Sequence, residues 1–296
     1  MGVDVGTDGV VAGGVRYVAL PAPHRTLVAQ IATSDGRVLR FRYLRTRFTV
    51  PAVAYDGSAD GLSADARTLV LIRPRAGFPR QTTEFAVLNA RDLRVRATVL
   101  LRGDFSFDAI SPDGRTVYLI HYLSPDDPTV YEVRAYDLAR AGLLPEPIID
   151  PYESDEEMGG NPITRAASLD GRWAYTLYDG ANAKPFVHAL DTVGRTARCI
   201  DLDHLAGRRD LNRLRFRLVG SVLAVTAARE AVARIDTRTF TVSWGEQPPA
   251  RAESDESRPP LPVLGGALVA LLAASAAAWW IATRRRRPER LRLGAR

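Results

Sequence analysis

The feature that most constrains this fold is a ten-residue pattern that occurs three times. The copies occupy residues 63–72, 111–120 and 168–177, and they read SADARTLVLI, SPDGRTVYLI and SLDGRWAYTL. After each copy, an alternating apolar run leads to an Asx residue 24, 24 or 21 positions beyond the copy's own aspartate. The copies begin 48 and 57 residues apart, a spacing that predicts one supersecondary unit per copy.

Each unit reads as four short strands joined by turns. In the middle unit, β-forming apolar residues alternate over 105–110, 116–122, 130–137 and 143–149. The first turn is Ser-Pro-Asp-Gly, in which proline presets one backbone angle and glycine tolerates positive φ. Because no long helical periodicity occurs in this part of the chain, the sequence predicts an all-β domain of four-stranded meanders.

Similar units can be traced through most of the chain. They cover approximately 2–44, 48–101, 105–149, 163–202 and 213–244. A four-stranded sheet cannot bury both faces alone, so consecutive units must stack on one another. The motifs Ser111-Pro-Asp-Gly-Arg and Ser168-Leu-Asp-Gly-Arg resemble the blades of TolB-like, YVTN-like and WD-repeat-like β-propellers. This resemblance implies a β-propeller of about five recognisable four-stranded blades. A β-sandwich is the alternative, but its strands would not repeat with a four-strand period.

The end of the sequence predicts a membrane anchor. Residues 263–283 carry no charge, and four consecutive arginines follow at 284–287. As a helix, the uncharged stretch would be ~31 Å long, about the thickness of one hydrocarbon core. Short Arg-rich segments stay in the cytoplasm, and Trp279 and Trp280 match the aromatic belt expected on that side. The sequence therefore predicts a single-pass plasma-membrane protein with a cytoplasmic C-terminus and an extracytoplasmic N-terminal domain.

Four segments follow from these patterns. We predict a propeller domain at 1–244, a Pro-rich and charged stalk at 245–262, a transmembrane helix at 263–283 and an Arg-rich cytoplasmic tail at 284–296. Contacts with membrane lipid are assigned to the aromatic and basic residues at the inner end of the span: Trp279, Trp280, Arg284, Arg285, Arg286 and Arg287.

The small residues of the span recur every four positions. Gly266, Ala270, Ala274 and Ala278 would permit close packing of two helices, and hence a homodimer. A buried Ala-rich helix of a soluble protein is one alternative to a span. Residues 261–265 also resemble a cell-wall sorting signal, but the threonine of that motif is replaced by leucine.

The N-terminus does not match the predicted location. Export requires a signal peptide, and residues 1–17 contain neither a basic n-region nor a sustained apolar run. We therefore expect that the natural start lies upstream of Met1 and that further strands precede it, so that the full ring holds five to seven blades.

Net charge argues against a nucleic-acid partner. The chain carries a net charge of +6, and the tail from residue 284 onward contains seven arginines and one glutamate. The rest of the chain is therefore neutral, with 33 basic and 33 acidic side chains. A neutral exterior domain has no basic face of the kind that binds nucleic acid.

No catalytic or cofactor motif is recognisable in the linear sequence. The four histidines, His24, His121, His188 and His204, are scattered without metal-ligand spacing. The single cysteine, Cys199, cannot form an internal disulfide, and its alternating apolar surroundings predict a small buried residue. We assign no catalytic, cofactor-binding or metal residues. Some propellers with similar blades hydrolyse lactones through residues assembled from several blades, so a hydrolase remains the alternative.

Loop length indicates where a ligand binds. The turns that follow first and third strands are short, whereas the loops at 74–83, 150–162 and 203–212 are long and would share the opposite face. In the second of these loops, Asp155, Glu156 and Glu157 suggest a solvated acidic segment, with a calcium site as the alternative. In the third, residues 208–210 (Arg-Arg-Asp) are interpreted as a solvated charge run, with pairing to those acids or anion binding as the alternatives.

These expectations converge on a function. The sequence predicts an extracytoplasmic propeller of the cell envelope that binds an unknown protein or small-molecule ligand. The alternative is an envelope hydrolase with its site in the propeller channel.

Overall fold

Antiparallel strands account for nearly all regular structure in the computed structural model, which describes residues 8–153, 158–181 and 184–245. The first sheet contains β1 (Val10–Ala12), β2 (Val15–Ala22), β3 (Arg25–Ala32) and β4 (Val38–Leu44). The second contains β5 (Thr68–Ile72), β6 (Thr82–Asn89) and β7 (Val95–Arg102). The third contains β8 (Phe105–Ile110), β9 (Thr116–Tyr122), β10 (Tyr131–Asp137) and β11 (Gly142–Ile148).

The last two sheets follow the same plan. The fourth contains β12 (Pro162–Ala167), β13 (Trp173–Tyr178), β14 (Phe186–Asp191) and β15 (Thr196–Asp201). The fifth contains β16 (Leu214–Val219), β17 (Val222–Ala227), β18 (Glu230–Asp236) and β19 (Val242–Trp244). Two short 3₁₀ turns, Asp203–Leu205 and Leu211–Arg213, lie between them.

Strands that are consecutive in the chain are neighbours in every sheet, so each sheet is a meander. The prediction of an all-β fold built from five such units is confirmed. In the third sheet, the strands begin and end within one residue of the predicted bounds. Periodicity and turn chemistry were therefore sufficient to locate this unit.

The second sheet departs from the predicted four strands, because it has three. The place of its first strand is taken by residues 49–62, which make only isolated bridges such as Leu62 to Leu69. Pro51 cannot donate a ladder hydrogen bond, and Gly57 and Gly61 adopt positive φ. These residues interrupt the run that would otherwise form a strand.

Each sheet packs against its neighbours in the chain through apolar faces. Alternation along β13 illustrates this, since Tyr175 and Leu177 belong to the cluster shared with the fifth sheet, whereas Ala174 and Tyr178 belong to the cluster shared with the third. Two further clusters join the first sheet to the second and the second to the third. Stacked four-stranded meanders of this kind fit the blades of a β-propeller.

The repeated Ser-x-Asp turn is a closed hydrogen-bonding unit. The hydroxyl of Ser111 donates to Asp113 Oδ1 at 2.7 Å and accepts the Thr116 N–H at 2.9 Å, while Asp113 accepts the Arg115 N–H at 3.1 Å. Gly114 has a φ of +66°, and a Cβ at this position would lie 2.6 Å from Thr68 Cβ of the preceding sheet. In this copy of the motif, glycine therefore serves both the conformation and the contact between turns.

The predicted anchor lies outside the described residues. This applies to the stalk beyond Gly245, the span at 263–283, the tail and the acidic residues 155–157. In the part of the chain that the structure describes, no helix has the length and apolar character needed to cross a bilayer.

Candidate functional site

The two faces of the stacked sheets differ in the length of their connections. Those that join first to second and third to fourth strands contain two to five residues. The longest connections within the described residues lie on the opposite face, for example 73–81 in the second sheet and 202–213 before the fifth. We call these the short-turn face and the long-loop face.

A cavity of about 500 Å³ opens on the long-loop face between the third and fourth sheets. Its apolar wall includes Ile148, Met158 and Phe186. Its polar residues come from the loop after β11, the loop before β14 and the two outer strands of the fourth sheet: Asp150, Glu153, Lys184, His188, Cys199 and Asp201. We call this cavity the rim pocket.

Asp150 fixes the loop after β11 to the edge of the fourth sheet. Its Oδ1 accepts the Tyr152 N–H at 2.9 Å, and its Oδ2 accepts the Cys199 N–H at 2.8 Å. The Arg198 Nε lies 3.3 Å from the same Oδ2, and only 2% of the Asp150 side chain is exposed. With these partners, the Asp150 side chain holds the pocket wall in place.

A row of polar residues crosses the fourth sheet on the face toward the third. Arg165 pairs in register with Thr176, Thr176 with His188, and His188 with Cys199. Cross-strand partners point to the same side of a sheet. The row therefore runs from the innermost strand, β12, to the outermost strand, β15, where it ends in the rim pocket.

His188 is the unusual member of this row. The side chain is fully buried, and neither ring nitrogen has a hydrogen-bond partner among the described residues. Burial lowers the pKa of His188 to about 4, while the carboxylates of Asp108 and Asp150 oppose this shift. The imidazole is therefore neutral near pH 7 and keeps a lone pair on one nitrogen.

Three side chains at the mouth of the pocket bring metal-binding atoms together. One oxygen each of Asp150 and Glu153 and the sulfur of Cys199 lie within 4.8 Å of one another. Asp150 is buried, Cys199 is half-buried and Glu153 is exposed. The arrangement offers two hard oxygens and one soft sulfur to a single point.

A second cavity, of about 670 Å³, opens on the short-turn face where inner strands meet. Asp60 and Arg165 line this inner cavity. Arg165 Nη1 donates to Asp108 Oδ1 at 2.8 Å, and the two side chains are 5% and 3% exposed. Burial raises the pKa of Asp60, although the charge of Arg165 opposes the rise. The cavity therefore contains the buried Arg165, whose charge is balanced by Asp108, and Asp60, whose carboxyl group protonates more readily than usual.

The structure separates most of the residues that the sequence singled out. His24 lies in the β2–β3 turn, His121 stacks on Phe105 with centroids 4.3 Å apart, and His204 stacks on Trp244 at 4.3 Å. Arg208 pairs with its neighbour Asp210 at 2.8 Å. None of these four residues lines the rim pocket.

One expectation was wrong, because Cys199 is half-buried rather than buried. It lies on β15, the outer strand of its sheet, and lines the rim pocket. The sequence did not lead us to expect that His188 and Asp150 help to form a site. A usable indication was present, since polar residues at matched registers of β13, β14 and β15 break the apolar alternation.

The chain resembles several known protein structures, but only distantly. No family model matches the chain, and no curated protein matches it in sequence. TolB from Acinetobacter baumannii is 14% identical, with 78% of this chain and 54% of that one covered, at a TM-score of 0.42. A puromycin-hydrolyzing peptidase from Mycobacterium tuberculosis is 18% identical, with 79% and 37% covered, at 0.41.

A third solved structure is similar over nearly its whole length. It is an uncharacterized protein from Listeria monocytogenes EGD-e, 9% identical, with 84% of this chain and 96% of that one covered, at a TM-score of 0.38. This chain spans about half of the Acinetobacter TolB and about a third of the peptidase. Because all these TM-scores are low, the fold assignment rests on the sheets and their packing.

Proposed function

We propose that this chain is a membrane-tethered β-propeller of the cell envelope that binds its ligand in the rim pocket. The propeller lies outside the membrane, and a single C-terminal helix anchors it. The described sheets support the propeller, and the uncharged stretch 263–283 with its following arginines supports the anchor.

The observation that carries the binding role is the rim pocket itself. A volume of about 500 Å³ falls within the range of small-molecule sites. Apolar wall residues supply contact area, while Lys184, Asp150 and Glu153 supply charges of both signs for orientation. The pocket lies on the face with the long loops, where binding residues are usually found on rigid scaffolds.

The geometry of the pocket favours binding over nucleophilic catalysis. A catalytic cysteine needs a base within hydrogen-bond reach. His188 is the cross-strand neighbour of Cys199, yet its ring makes no hydrogen bond to the sulfur. Its low pKa also makes it a weak base. The pocket therefore lacks an assembled Cys–His pair.

The orientation follows from the cost of moving charge across a bilayer. One arginine at the membrane centre costs about 2.5–3.5 kcal/mol, and four follow the span in succession. Retaining them in the cytoplasm places the N-terminal domain on the other side.

Paired cysteine variants test this topology. In a Cys199→Ser background, Leu169→Cys places a thiol on a fully exposed turn of the fourth sheet, and Ala295→Cys places one in the tail. A membrane-impermeant maleimide added to intact spheroplasts should label the first variant directly and the second only after lysis. The reverse pattern would refute the proposed orientation.

The binding role is tested by protection of Cys199. An extract of the cell envelope should slow maleimide labelling of Cys199 in the wild-type chain, because a bound ligand covers the rim pocket. The same extract should leave Leu169→Cys unaffected, since that turn belongs to the short-turn face. Equal rates with and without extract at Cys199 would contradict a ligand in this pocket.

A hydrolase remains the second candidate, and the inner cavity is the observation that favours it. Asp60, with its raised pKa, could exchange a proton with a substrate beside the buried Arg165–Asp108 pair. We would assay wild-type protein and Asp60→Asn against a panel of lactones and esters. Turnover that Asp60→Asn abolishes would replace the binding role with catalysis.

A further inference from the structure

We propose that the mouth of the rim pocket is a binding site for a divalent transition metal, of which zinc is the best fit. Cys199, Asp150, Glu153 and His188 are its ligands. The inference uses the pocket of the proposed function, but it depends on neither the membrane tether nor the identity of an envelope ligand.

Three of the four donors are already assembled. The ligand atoms of Asp150, Glu153 and Cys199 lie within 4.8 Å of one another. In a tetrahedral zinc site with bonds of about 2.0–2.3 Å, donor atoms are about 3.3–3.8 Å apart. Small side-chain movements therefore suffice to close the group around an ion. Glu153 is the exposed member of the group.

His188 supplies an independent indication that something binds here. It is fully buried in the wall of the pocket, and neither of its ring nitrogens has a partner within the described part of the chain. A buried polar group without a partner is energetically unfavourable, so a ligand that pairs with it is stabilised. Since His188 pairs in register with Cys199 and lines the same pocket, a shift of its ring toward a metal held by the sulfur would satisfy it.

The mixture of donors selects the class of metal. Thiolate and imidazole favour zinc and related transition metals, whereas calcium and magnesium prefer sites made only of oxygen. The calcium alternative raised by the acidic loop concerned residues 155–157. The present site uses different residues of that loop together with the edge of the fourth sheet.

Neighbouring cations set the expected strength of binding. Arg198 lies 3.3 Å from Asp150 Oδ2 and is held over the Tyr152 ring at 4.2 Å, so it competes with an incoming metal. Lys184 competes less, because its Nζ pairs with Asp203 at 2.9 Å. We therefore expect Arg198→Gln to tighten metal binding several-fold.

The test uses the full-length chain in detergent, stripped of metal with a chelator. Cobalt, as a spectroscopic substitute, should give a thiolate-to-metal absorption band that Cys199→Ser abolishes. In zinc titrations followed by calorimetry, Glu153→Gln and His188→Gln should weaken binding by about tenfold or more. Glu146→Gln, an exposed acid on β11, and His204→Gln, outside the pocket, are the matched controls and should bind like wild type.

Several results would overturn the proposal. These are the lack of a thiolate band, unchanged zinc affinity in Cys199→Ser, or equal affinities in Glu153→Gln and its control. Because Glu153 is exposed, that variant stays informative even when substitution of buried His188 prevents folding. If zinc binds but envelope extract does not slow maleimide labelling of Cys199, only the proposed function is contradicted. If zinc does not bind, only the metal site is contradicted.

Discussion

The two faces of this molecule satisfy their charged groups in different ways. On the short-turn face, the repeated Ser-x-Asp turns hold their aspartates with residues of the same turn. Hydrogen bonds from the Ser168 hydroxyl and the Arg172 N–H hold the pKa of Asp170 below its usual range. On the long-loop face, the buried Asp104 takes its partners from a distant segment. Asp104 accepts hydrogen bonds from the Arg75 side chain at 2.7 Å and the Arg80 N–H at 2.9 Å.

This difference separates local from long-range determinants of the fold. A turn that closes within six residues forms independently of its surroundings, so similar turns recur with each unit. The long-loop face instead depends on the docking of one sheet on the next, as when Thr164 donates to Asp56 Oδ2 at 2.6 Å. The rim pocket lies on this second face, where residues of the third and fourth sheets meet.

The largest expected effect comes from breaking a buried ion pair on the long-loop face. Asp104→Ala would leave Arg75 and Arg80 buried without their carboxylate, since these side chains are 7% and 11% exposed. We expect the free energy of unfolding to fall by about 3–5 kcal/mol in urea titrations. Asp92→Ala, which removes a 41% exposed partner of Arg94, is the control and should cost under about 1 kcal/mol. Similar losses in both variants would remove the contrast between the faces.

A smaller effect is expected from the glycine of the repeated turn. Gly114→Ala introduces a Cβ at positive φ and 2.6 Å from Thr68 Cβ, so we expect a loss of about 2–4 kcal/mol. The second sheet offers the opposite substitution, because Ala66 already occupies the equivalent position with a φ of +53°. Ala66→Gly should be neutral or stabilising by up to about 1 kcal/mol. Both changes are measured by thermal and urea unfolding, and a tolerated Gly114→Ala would show that the turns do not touch.

The smallest effect concerns Asp191 on the short-turn face and how its contribution to stability depends on pH. Burial opposes ionisation of Asp191, but hydrogen bonds from Arg172, Gly194 and Val193 hold its pKa below the usual range. A depressed pKa contributes stability above the unfolded value of about 3.9, and this stability is lost as pH falls through the folded value. Asp191→Asn should therefore cost about 2 kcal/mol at neutral pH, since it weakens charge-assisted hydrogen bonds.

The difference between Asp191→Asn and wild type should shrink once the pH falls below about 4. Unfolding in urea at a series of acidic pH values measures this difference. A gap that stays constant down to strongly acidic pH would mean that the carboxylate charge of Asp191 contributes nothing. Asp201→Asn, an exposed change on the neighbouring strand, serves as the control.

Features that depend on local sequence could be predicted, whereas features that depend on long-range contacts could not. The strands at 105–110 and 116–122 were read from alternation and one turn, because both signals are local. The missing first strand of the second sheet was not foreseen, although Pro51, Gly57 and Gly61 carry its physical cause. The rim pocket could not be predicted, because it requires Asp150 to reach Cys199, 49 residues away.

The membrane anchor remains a prediction from the sequence and does not affect these comparisons. The uncharged stretch and the arginines that follow it support the proposed location, and the paired cysteine variants test it. The metal site, by contrast, can be tested in purified protein.

Zinc-dependent labelling of Cys199 tests most directly that the binding chemistry lies in the rim pocket. A membrane-impermeant maleimide should react with Cys199 in intact spheroplasts, and added zinc should slow that reaction about tenfold or more while leaving Leu169→Cys unchanged. Reaction of Cys199 only after lysis, or no slowing by zinc, would contradict the account.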